Sequence, residues 1–185
     1  MHRSWILSAV AGLFTAVQAG AKYPRDASDS FQIYAFGDGI GGVPLVSTGN
    51  STYVGNYTLL KDTEAAPVLF TTSSNGAWIG SPNTTESDLP TWSDLQFYVP
   101  AASSSSHIIG LVDAESSKTS GLRTTGFHFY GTFAYVAGAS GLMEMLWFAV
   151  PSDTDGLYSL RWNTTADTTD GAIPITLKSS PPSNA

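Results

Sequence analysis

Residues 124–150 read TTGFHFYGTFAYVAGASGLMEMLWFAV, a dense block of aromatic and aliphatic side chains around which the rest of the chain is arranged. Phe127, Phe129, Phe133 and Tyr135 recur at even spacing, and a period of two predicts that all four rings share one face of a β ribbon. His128, Tyr130, Thr132, Ala134 and Val136 then fall on the other. After a turn at 138–141, the stretch 142–150 is nearly unbroken apolar, which predicts a strand covered on both faces.

The same reading along the chain predicts a strand at 31–36 and a hairpin formed by 43–46 and 53–60 around a polar tip. A second hairpin is predicted at 67–72 and 77–80 around Asn75-Gly76, since Asn-Gly favours two-residue turns. Strands at 92–99, 107–112, 156–162 and 173–177 complete the pattern. No stretch carries a helical period, and turn signals recur roughly every 8 to 12 residues. The expected fold is all-β: a single-domain antiparallel β-sandwich or barrel of about ten strands.

Before this domain the chain carries Arg3, an apolar run from Trp5 to Val17 and small residues at 17–21, the pattern of a secretory signal peptide over 1–19, with cleavage after 19 or 21. The apolar run is about 13 residues, short of the roughly 20 that cross a bilayer. The expected order is therefore leader, flexible arm at 22–30, β domain at 31–178 and disordered tail at 179–185, in a soluble, extracellular product.

Composition narrows the chemistry. The chain has no cysteine, which removes thiol catalysis and thiolate metal sites, and it implies that packing alone stabilises the exported domain. Eight Lys and Arg stand against 15 Asp and Glu; without Arg3, 7 − 15 gives a net charge of −8. The basic residues are scattered singly, which argues against nucleic acid and anionic membrane as partners.

Four asparagines begin Asn-x-Ser/Thr acceptors for N-glycans: Asn50, Asn56, Asn83 and Asn163. Asn50 and Asn83 are expected in loop tips, Asn163 at a strand end, and Asn56 inside a strand. Gly37-Asp38-Gly39-Ile40-Gly41-Gly42 has the spacing of a dinucleotide fingerprint, but a hairpin rather than a helix follows, so it reads as a turn. Asp153-Thr154-Asp155-Gly156 lacks the further ligands of a calcium loop. No cofactor or metal motif is present.

Glu144, inside the apolar run, is expected to be exposed or paired with Arg123 or Arg161, and His128 to be a surface sheet histidine. Asp94, Asp113, Glu115 and Glu144 could serve a hydrolase only if the fold paired two of them. Five Trp and eight Tyr supply rings on which a sugar could stack. Trp147 and Trp162 read as core, whereas Trp92 and Tyr98 are the candidate exposed contacts.

The segments FQIYAFG (31–37), GVPLV (42–46), YVG (53–55), TTGFHFYG (124–131), GLYSLRWN (156–163) and PSN (182–184) together resemble a group of small secreted proteins of filamentous ascomycete fungi. The resemblance implies a fungal extracellular protein and carries over no catalytic residue. The expected function is binding, to a cell-wall glycan or to a host or fungal surface protein. A small carboxylate-dependent hydrolase and a structural wall component are the alternatives.

Overall fold

The computed structural model describes residues 29–85, 90–163 and 169–183. The expected leader, the arm through residue 28 and the last two residues of the expected tail lie outside the described residues. Strands follow in chain order as β1 (Tyr34–Gly37), β2 (Ile40–Ser47), β3 (Thr52–Gly55), β4 (Ala66–Thr72), β5 (Trp78–Pro82), β6 (Leu95–Pro100) and β7 (Gly110–Val112). They continue as β8 (Leu122–Arg123), β9 (Phe127–Tyr130), β10 (Phe133–Ala137), β11 (Met143–Glu144), β12 (Trp147–Pro151), β13 (Leu157–Trp162) and β14 (Ile173–Lys178). The all-β expectation holds, and all pairings between these strands are antiparallel.

Six of them close on themselves. β1 pairs with β2, β2 with β3, β3 with β13, β13 with β12, β12 with β14 and β14 with β1, which makes a barrel. Residues opposite one another in an antiparallel pair share a face. Thus Ala35 with Leu177, Leu45 with Val54, Ala149 with Leu160, and Trp147 with Trp162 all turn into the buried cluster. The Gly-rich segment after β1 is a hairpin in which Gly37 faces Ile40 across Asp38-Gly39, so the expected turn is present.

β4 leaves the barrel from β2 and begins an outer sheet, β4-β5-β6-β7. Between that sheet and the barrel lies a chain of rings centred on Trp78. Its ring is within 4.8 to 6.2 Å, centroid to centroid, of Phe129, Phe31, Phe127, Phe70 and Phe97. Phe97 continues the chain to Trp147 and Trp147 to Trp162, linking the two halves of the core.

The dense block differs from its expected form in two places. β9 and β10 are joined by a two-residue turn at Gly131-Thr132, with Phe133 opposite Tyr130 and Ala134 opposite Phe129. Gly131 has φ +61°, as the first position of a Gly-X hairpin turn requires, and the turn shifts the alternation by one residue. Phe127, Phe129, Ala134 and Val136 therefore face the core, while Phe133 and Tyr135 lie outside with His128 and Tyr130.

Residues 142–146 are likewise not a doubly covered strand. Ser140 adopts φ +69°, the Gly138 N–H donates to the Leu142 carbonyl, and β11 has two residues. Leu142, Met143, Met145 and Leu146 are left exposed, and burial begins only at Trp147.

At the other end, two residues after β14 touch the β domain. The Ser179 N–H donates to the Thr132 carbonyl, and Pro182 packs beside the Phe36 ring above Gly42.

Candidate functional site

The parity shift at Gly131 builds the surface that stands out. Tyr34 lies directly opposite Lys178, Lys178 opposite Phe133, and Phe133 opposite Tyr130, so four side chains form one row across β1, β14, β10 and β9. The row is outward because its neighbours along each strand, Ala35, Leu177, Ala134 and Phe129, all belong to the core or pack on it. Tyr130 is 67% exposed and Phe133 40%. Adjacent strands are ~4.8 Å apart, about the width of a pyranose ring.

Two further groups widen the row. Tyr135 and His128 are opposite one another on the same face with ring centres 5.6 Å apart. Phe36, two residues along from Tyr34, holds the other flank. The Lys178 ammonium sits 4.6 Å from the centre of the Phe36 ring and 5.0 Å from that of Phe133, between two cation–π partners. Tyr34 is steadied by the hydrogen bond from its hydroxyl to Gln32 Oε1, 2.9 Å.

Phe36 owes its position to a bulge. The β1–β2 register slips between Ala35 and Phe36, Gly42 takes φ +88°, and a Cβ on Gly42 would stand 2.8 Å from the Phe36 ring and 2.9 Å from Pro182. A glycine lets the ring lie down on the strand.

The two rings expected to be exposed are placed elsewhere. Trp92 is 9% exposed, its Nε1–H donates to the Glu64 carbonyl at 2.8 Å, and its ring is pressed onto Gly49, so it packs in the core instead of offering a face to a ligand. Tyr98 is half-buried over Gly110, and burial pushes its phenol pKa above the ordinary tyrosine value. Neither shares the row.

The carboxylates are spread among structural roles. Glu144 accepts from Arg123 Nη1 at 2.6 Å, and Arg123 Nη2 donates to the Ala137 carbonyl, one of the two pairings expected for Glu144. Asp113 accepts from the Glu115 N–H within a turn, and Asp94 accepts from Ser81 and Ser93. Among the described residues no three His, Asp or Glu side chains gather as a metal site. A depression of about 430 Å3 lies beside Tyr57, Lys61, Asp62, Asn83 and Pro90; among the described residues its charged side chains are one lysine and one aspartate, not a facing pair of carboxylates.

Asn50, Asn56 and Asn83 are exposed, and Asn163 is partly so. Asn56 is not inside a strand: β3 ends at Gly55, and Asn56 caps a single 3₁₀ turn at Tyr57–Leu60. Its Oδ1 accepts from both the N–H and the hydroxyl of Thr58, at 3.1 and 2.9 Å, a local pairing that competes with the strand ladder. None of the four lies on β1, β9, β10 or β14. Compared with known protein families, curated proteins and solved structures, the chain matches none.

Proposed function

We propose that this is a secreted fungal glycoprotein, without catalytic activity, that binds a wall polysaccharide through the outward face of β1, β14, β10 and β9. The observation that carries the reading is the row Tyr34–Lys178–Phe133–Tyr130, with Tyr135 and His128 beside it. Ring faces at strand spacing match the apolar faces of successive sugars, and phenol hydroxyls at the edges can reach sugar hydroxyls. Rings with few rotatable bonds, seated on a closed barrel, lose little entropy on binding. Sequons placed off these four strands are consistent with a face left bare of the protein's own glycans.

The test is retention of the purified protein on a panel of insoluble fungal and plant wall polysaccharides. Wild type is expected to bind at least one, and Tyr130→Ala with Phe133→Ala to lose retention while melting as wild type does. Absence of binding across the panel, or undiminished binding by the double variant, would refute the proposal.

A further inference from the structure

Lys178 occupies the middle of the row, and its surroundings are unusual for a chain with a formal net charge of −7. Its ammonium has rings on two sides, Phe36 and Phe133, and no carboxylate partner among the described residues. Among the described residues of β1, β14, β10 and β9, the outward side chains around it include Tyr34, Phe36, Thr176, Phe133, Tyr135 and Tyr130, and none is an acid. The nearest carboxylate along the chain from β1 is Asp38, in the turn past the strand's end, and it makes no ion pair with Lys178.

Rings and a lysine in one row divide the labour of recognition. Phe133 and Tyr130 offer stacking area to a sugar ring, which any hexose satisfies. The ammonium adds one compact positive charge at the next strand position, where a carboxylate on a neighbouring sugar can complete a charge-assisted hydrogen bond. The ring faces steady the ammonium without neutralising its charge as a carboxylate would, so an N–H not turned toward a ring is left to meet a ligand. A single charge suits a singly charged carboxylate spaced one per sugar along a chain.

We propose, building on the polysaccharide-binding reading, that the ligand is a uronic-acid polysaccharide and that Lys178 selects it over its neutral counterparts. The overall negative charge of the protein opposes a polyanion at long range and is screened at physiological salt, so the local cation decides.

A chemically matched pair separates this from the parent proposal: polygalacturonate and its fully methyl-esterified form, which share a backbone and differ in the carboxylate. The wild-type protein is expected to bind the acid at least about tenfold more tightly than the ester, the value of one charge-assisted contact. Lys178→Gln should abolish that preference and Lys178→Arg restore most of it, with thermal melts confirming that each variant folds. Affinity for the acid, unlike that for the ester, should fall as salt rises.

Equal binding of acid and ester, or a preference that survives Lys178→Gln, overturns the uronate assignment and leaves polysaccharide binding standing. Binding of neither polymer, with retention on other neutral glycans, also overturns it. Failure on every polysaccharide overturns both.

Discussion

Truncating Trp78 to alanine tests the internal architecture most directly. The ring is 1% exposed and meets five other rings, two on β9, two in the outer sheet and Phe31 ahead of β1. Removing a buried tryptophan ordinarily costs ~3–5 kcal/mol, with the upper end expected here because five neighbours lose a partner at once. That is a large part of the ~5–15 kcal/mol that holds a domain together, and no disulfide offsets the loss. For a domain of this size each kcal/mol lowers Tm by ~2–4 °C, so Trp78→Ala should melt about 8–20 °C below wild type. Differential scanning calorimetry measures this, with Phe133→Ala as the comparison. Phe133 lies in the same dense sequence block but outside the core, and its truncation should move Tm by no more than ~2 °C. Equal losses in the two variants would show that the parity shift at Gly131 is wrong, and an unchanged Trp78→Ala melt would show that the ring chain does not link the sheets.

Two further outcomes follow from single side chains. The Tyr98 phenol has its pKa raised by burial, so the folded state binds its proton more tightly than the unfolded chain does; the associated stability is full below the unfolded value of about 10 and is lost as pH rises through the folded value. Wild type should therefore lose Tm steeply above about pH 10 and Tyr98→Phe less so, as read by melts from pH 8 to 11. Glu144→Gln weakens a half-exposed ion pair at 2.6 Å and should cost about 1 kcal/mol in low salt, with the difference from wild type narrowing in 1 M NaCl.

Alternation and turn chemistry made the fold class legible. Asp38-Gly39 and Asn75-Gly76 both mark hairpins, because their preferred backbone conformations are local properties. The turn at Gly131-Thr132 carries a local signal too, a glycine at the first position of a two-residue loop. Even spacing of rings across it suggested one continuous strand face, and the turn reverses that assignment for Phe133 and Tyr135. What could not be read locally is complementarity between distant segments. Trp92 follows a polar, proline-containing loop and looks exposed, yet Gly49 leaves the space that buries it. The row itself joins residues 34, 130, 133 and 178 through barrel closure, a pairing that no neighbouring residues encode.

Closure of the barrel by β1 and β14 also sets an order of events during synthesis. β1 emerges from the ribosome among the earliest strands and waits for β14, the last of those described, before its second edge is paired. Contacts of such sequence separation carry a high loop-closure cost and slow folding. Until then β12 and β1 each present an unpaired edge on which another chain could dock. A product cut short before residue 173 would carry every residue of the aromatic hub and the outer sheet, yet it would lack the strand that closes the barrel and Lys178 of the row. The proposed row would thus be complete only once β14 had been made.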